Sequence, residues 1–251
     1  MADPVVPVPV CRFENVLGAQ RADSLLSFCL GRRDDFCAGM SVDAATGQLA
    51  EDCELQVLPL RSQALSRTVT GLLPMVRQMV GLETEFSHTR MTLAAYSQGG
   101  YLGLYSDAVR VPDPMNSVTA MYYLHCRPRG FDGGQLRLYD TVIRGDRPRR
   151  AATFQSVEPD HDTIVFFPST AFHEVKTLAC PSGQFSDGRF GVNICAFDAS
   201  QDWSGPQRST SQVLHWMAQV AEVTCGSSHL EHHTSAAIPL PQPGLVPAAT
   251  G

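Results

Sequence analysis

The hydrophobic period of this chain changes at Gly81, and no other feature of the sequence limits its fold so strongly. Upstream, residues Gly18 to Arg33 place Leu25, Leu26, Cys29 and Leu30 at helical spacing among Arg and Asp. Leu60 to Val80 repeat that spacing through Leu65, Val69, Leu72, Leu73, Val76 and Val80. Pro74 stands inside this second run and predicts a kink or a division, while Gly81 predicts its stop. Downstream the apolar residues alternate, in short segments rich in β-branched and aromatic side chains. The predicted strands are Phe86 to Tyr96, Ser117 to Cys126, Gln135 to Tyr139, Ala152 to Val157, Thr163 to Phe167, Ala171 to Leu178 and Arg189 to Phe197. Gly, Pro and Asp separate them, as in Gly99-Gly100, Pro112-Asp113-Pro114 and Gly130 to Gly134. Many short strands behind two amphipathic helices make a mainly β chain with flanking helices, an α+β barrel or sandwich.

A chain of 251 residues, 43% hydrophobic, buries enough surface to fold without disulfides or a structural metal. Its eight cysteines are scattered with no C-x-x-C pair, which predicts free buried thiols. A net charge of -6 argues against nucleic acid as a partner. No apolar run reaches the length of a membrane span, and Met1 to Val10 lacks the pattern of a secretory leader, so a soluble cytoplasmic protein is expected.

The residues able to carry chemistry fall in a recurring order. In Tyr105-Ser106-Asp107 the first and third side chains share one side if the backbone is extended. His173 follows the apolar run Phe166-Phe167-Pro168, and Arg189 opens a strand with little other charge. With them stand Ala95-Tyr96-Ser97-Gln98-Gly99-Gly100-Tyr101, Val118 to Leu124, Gly133-Gly134-Gln135-Leu136-Arg137-Leu138-Tyr139, Asp162 to Pro168 and Arg189-Phe190-Gly191-Val192-Asn193. In order and spacing, over roughly residues 90 to 197, these segments resemble the prolyl 4-hydroxylase-like iron(II)- and 2-oxoglutarate-dependent oxygenases.

The resemblance implies a double-stranded β-helix core, jelly-roll or cupin-like, supported by N-terminal helices. It implies one oxygenase domain over residues 1–233, with helical support at 12–82 and the core at 83–200; the spacing of Val213, Trp216, Met217 and Val220 predicts a closing helix at 209–223, and the small-residue, Pro-rich composition of 234–251 a disordered tail. Iron(II), 2-oxoglutarate as cosubstrate and dioxygen are implied with it. Asp107 and His173 match the carboxylate and distal histidine of the family's H-x-D…H ligand set, and Arg189 and Tyr123 match the residues that hold the distal carboxylate of 2-oxoglutarate. Tyr96 matches a further tyrosine of that pocket. An Arg suits the role, because its planar fork meets a carboxylate at two points.

This chain departs from the pattern at Tyr105, which stands where the family has its first histidine. Four readings of that position are open: a phenolate ligand, replacement by His125 or His88, a site of Asp107 and His173 alone, or a position lost in a catalytically silent relative that binds 2-oxoglutarate or a partner without turnover. The implied reaction is oxidation, usually hydroxylation, of an unactivated C–H bond in an amino-acid, peptidyl or small-molecule substrate. Taken singly, His173 and Asp107 read as a core histidine and a turn former, and Arg189 as a surface partner of Asp187 or Glu174. The cluster His229, Glu231, His232, His233 reads as surface, and Arg144 to Arg150 as a solvated loop near the barrel mouth.

Overall fold

The computed structural model describes residues 4–38, 41–42, 49–50, 55–109, 111, 113–144, 147–198 and 238–239. The expected closing helix at 209–223, the His229 to His233 cluster and most of the tail lie outside them.

The strands are β1 (Val5–Val6), β2 (Cys11–Glu14), β3 (Cys37–Ala38), β4 (Ser41–Val42), β5 (Leu49–Ala50), β6 (Leu55–Pro59), β7 (His88–Tyr96), β8 (Leu102–Tyr105), β9 (Val118–Leu124), β10 (Asp132–Gly133), β11 (Leu136–Arg144), β12 (Arg147–Val157), β13 (Thr163–Pro168), β14 (His173–Val175), β15 (Leu178–Ala179), β16 (Arg189–Phe197) and β17 (Ile238–Pro239). The helices are α1 (Ala19–Leu30) and α2 (Gln63–Met79). A large sheet runs β17-β2-β13-β9-β16-β7-β6-β3, and a smaller one runs β1-β11-β14-β8 with β12 paired to β11. From β7 to β16 the chain crosses repeatedly between these two sheets, with β7, β9, β13 and β16 in the large one and β8, β11, β12 and β14 in the small one, the arrangement of a double-stranded β-helix.

Strand β9 explains the layering. All seven of its residues are buried, because its two faces meet two different cores. Ala120, Tyr122 and Leu124 join Phe13, Leu65, Leu72, Phe166 and Ile194 beneath the helices. Met121 and Tyr123 turn the other way, into the space between the sheets, with Tyr96, Tyr105, Leu136, Leu138, Val165 and Phe167. Alternation along one strand therefore assigns each side chain either to the helical support or to the barrel interior.

The structure corrects two expectations. The first third is not helical throughout: β2 joins the large sheet beside β13, and β6 extends it beyond β7. These strands are too short for a period to declare itself in the sequence. Helix α2 is not divided at Pro74 but runs unbroken through it. The proline lies on the solvent side while Leu65, Val69, Leu72, Leu73 and Val76 are buried, so water can satisfy the carbonyl that loses its N–H partner. Within the segment expected to lack order, Ile238 and Pro239 pair in parallel with Phe13 and Glu14. Cys11, Cys29, Cys126, Cys180 and Cys195 are free thiols. Burial pushes Cys11 up to about 11 and Cys29 to about 12.

Candidate functional site

Strands β14 and β8 bring the first group together by direct pairing. His173 is the register partner of Tyr105 on one side and of Leu138 on the other. The two rings meet edge to face with centroids 5.3 Å apart. Strand β8 ends at Tyr105, and Asp107 opens a short 3-10 turn through Val109 instead of continuing the strand. Ser106 supports the turn by accepting the Ala108 N–H. Tyr105 and Asp107 still converge, the phenol donating to Asp107 Oδ1 at 3.0 Å.

The other Asp107 oxygen, Oδ2, accepts from Thr119 Oγ1 at 3.0 Å and lies 3.8 Å from His173 Nε2. Thr119 also pairs with Ser169 at 3.0 Å. His173 Nδ1 is 3.0 Å from the carbonyl of Ala171, which can only accept, so the proton resides on Nδ1 and the lone pair of Nε2 faces Asp107. Asp107 and His173 are both buried. An imidazole nitrogen, a carboxylate and a phenol oxygen thus share one spot, the first two being common ligands of first-row metals. No third His, Cys, Asp or Glu joins them among the described residues. His88 is exposed and bonded to Ser87. His125 packs against His161 and Phe131, six residues along β9 from Thr119, roughly 20 Å at strand spacing. Neither replaces the missing histidine.

The second group lies on β16 and its neighbours. Arg189, at 0% exposure, is register partner of Tyr96, and Gly191 faces Tyr123. The guanidinium stands over both tyrosine rings, 4.5 Å from the centroid of Tyr96 and 4.9 Å from that of Tyr123. Among the described residues it meets no carboxylate; Glu174 is occupied by Arg137 and Tyr139. Among the described residues Arg189 Nε and Nη1 have no hydrogen-bond partner, and the Tyr123 hydroxyl has none beyond Arg189 itself. Burial pushes the Tyr123 hydroxyl up to about 12, with Arg189 pulling it back. A buried cation without an anion is costly, by several kcal/mol for an isolated charge, so this pocket is shaped for an acidic ligand. The surface reading of Arg189 is overturned.

Gly134 admits the arginine. It sits at φ +70°, and a Cβ on it would stand 2.7 Å from Leu178 Cδ1 and 3.2 Å from Arg189 Cδ. Thr119, which holds Asp107, and Ser169, which bonds Thr119, were absent from the residues singled out in the sequence. Thr119 was accessible to reasoning, since it shares the inward parity of Tyr123 on β9.

Residues 91–194 match the model of the 2OG-Fe(II) oxygenase superfamily. An uncharacterised PKHD-type hydroxylase of Synechocystis is 27% identical over 183 residues, which are 72% of this chain and 60% of that protein. The chain therefore spans less than two thirds of that relative's length. Among solved structures, a prolyl hydroxylase from Trichoplax adhaerens, in complex with a peptide fragment of the hypoxia inducible factor oxygen degradation domain, aligns with a TM-score of 0.58 at 19% identity, covering 79% of this chain and 88% of that one. A prolyl-4-hydroxylase from Pseudomonas putida aligns at 0.51 and 19% identity, covering 76% and 93%. These likenesses carry the fold.

Proposed function

We propose that this chain is an iron(II)- and 2-oxoglutarate-dependent dioxygenase that hydroxylates an unactivated C–H bond of an amino-acid, peptidyl or small-molecule substrate, a reading supported by the match of residues 91–194 to the 2OG-Fe(II) oxygenase superfamily model. The observation that carries the proposal is a fully buried guanidinium without an acidic partner among the described residues, inside the same barrel as a carboxylate–imidazole pair.

Asp107 and His173 would hold the iron, with the Tyr105 oxygen as the third donor in place of a histidine. Arg189 would bind the distal carboxylate of 2-oxoglutarate, with the Tyr123 hydroxyl donating to the same group and Tyr96 closing the pocket. Bound there, iron and 2-oxoglutarate supply oxidation by dioxygen, the cosubstrate leaving as succinate and carbon dioxide. The chain's own work is arrangement. Ala171 fixes the tautomer that leaves His173 Nε2 able to bind metal. Thr119 holds one oxygen of Asp107 and Tyr105 the other, so the carboxylate is oriented before metal arrives. Phe167, packed on His173 at 5.1 Å, keeps that side of the imidazole dry.

The test is an anaerobic titration of metal-free protein with iron(II) and 2-oxoglutarate, following the visible charge-transfer band of the chelate, with release of carbon dioxide measured on admitting air. A band saturating at about one iron per chain, lost in Asp107→Ala and His173→Ala, is expected. A band that never forms, or that survives Asp107→Ala, refutes the assignment.

A further inference from the structure

Besides the two tyrosines, the Arg189 guanidinium meets a thioether among the described residues. Nη2 donates to Met121 Sδ at 2.9 Å, and Met121 is only 2% exposed. Met121 stands between Thr119 and Tyr123 on the inward face of β9, so it lies between the Asp107 group and the arginine pocket.

The residue type is informative. A thioether is a weak acceptor on a flexible, polarisable side chain. Leucine would fill the same space and offer the cation nothing. Glutamine would offer an amide oxygen, a strong acceptor that competes with any anion for the same N–H. Methionine falls between, giving the guanidinium partial satisfaction that a carboxylate readily outbids.

We propose that Met121 is a positioning residue of the cosubstrate pocket, whose sulfur holds the Arg189 fork in place while the pocket is empty and yields Nη2 to the incoming carboxylate. This rests on the reading of Arg189 as the 2-oxoglutarate anchor. No covalent step is involved; one hydrogen bond to the guanidinium is exchanged for another.

The experiment measures 2-oxoglutarate affinity by calorimetry on manganese(II)-loaded protein, with the melting temperature recorded in its presence and absence. In Met121→Gln the amide competes, and affinity falls about tenfold or more, the scale of one hydrogen bond to a charged group. In Met121→Leu the unliganded protein melts lower, affinity equals or exceeds that of the native chain, and 2-oxoglutarate produces a larger thermal shift. A purely structural methionine would instead weaken binding in both variants alike. Equal affinities in the two variants, whether both native or both reduced, overturn the proposal, and the glutamine variant alone decides if the leucine one does not fold. Arg189→Leu separates the two levels. If it abolishes binding while the Met121 variants behave alike, the anchor stands and the role of Met121 falls. If it binds as the native chain does, the anchor falls and the proposal with it.

Discussion

His125, two residues beyond Tyr123 and distant from Asp107, ties stability to pH. It is 8% exposed, and desolvation lowers its pKa below the ordinary 6.5, against the opposing bond to the Cys126 carbonyl. The unfolded chain therefore binds a proton at a pH where the folded one does not, and stability falls as pH drops from 6.5 toward the lowered value. We expect the melting temperature to decline through that window and the decline to flatten in His125→Gln. Gly134→Ala tests the close approach to Arg189: with a left-handed backbone and a Cβ 2.7 Å from Leu178, it should destabilise by about 1–3 kcal/mol and weaken 2-oxoglutarate binding in calorimetry. At this scale much was legible. Asp107, His173 and Arg189 stand in a spaced pattern, and the structure gathers the first two and buries the third. Met121 was illegible, because alternation says which way a strand residue faces and not which neighbour it leans toward. Asp107 converges on Tyr105 through a turn rather than the extended backbone that spacing suggested, since Ser106 captures the Ala108 N–H.

Among the elements, α2 shows how tertiary burial overrides local preference. Its five buried apolar residues hold the helix continuous across Pro74, which contributes a missing hydrogen bond at a solvent-facing turn. Pro74→Ala should therefore raise stability by about 1–2 kcal/mol, measured by urea unfolding, the restored bond being partly offset by a freer unfolded chain. Asp162 does the reverse and fastens elements that sequence reading left unconnected. At φ +57°, its carboxylate accepts from Leu17 N, Gly18 N and the Tyr122 hydroxyl, pinning the entry to α1 against the end of β9. Asp162→Ala removes three bonds to a buried charge and should destabilise by about 3–5 kcal/mol, read from the same urea curves. The helices and the long strands were legible through their periods. The short strands β2, β6 and β8 were not, because they are defined by partners distant in sequence.

For the molecule as a whole, Arg189 and the Asp107–His173 pair lie in one interior, so ligands bound there should act on global stability. Manganese(II) with 2-oxoglutarate at about a hundred times its dissociation constant should stabilise the fold by about 2.7 kcal/mol, seen as a higher melting temperature. Asp107→Ala and Arg189→Leu should each lose that response. The same interior is closed along one side by residues 5–18, which run from β1 on the small sheet to β2 on the large one. Their partners come far later: Val8 meets Asp140, 132 positions on, and Leu17 meets Asp162, 145 positions on. On the ribosome this segment emerges early and waits, at roughly 5–20 residues per second, until nearly the whole barrel has been made. The first described strands thus pair with residues far along the chain, and β16 stands between β9 and β7 in the large sheet, so the barrel closes only after synthesis of β16, and a nascent chain stalled before Arg189 should stay protease-sensitive.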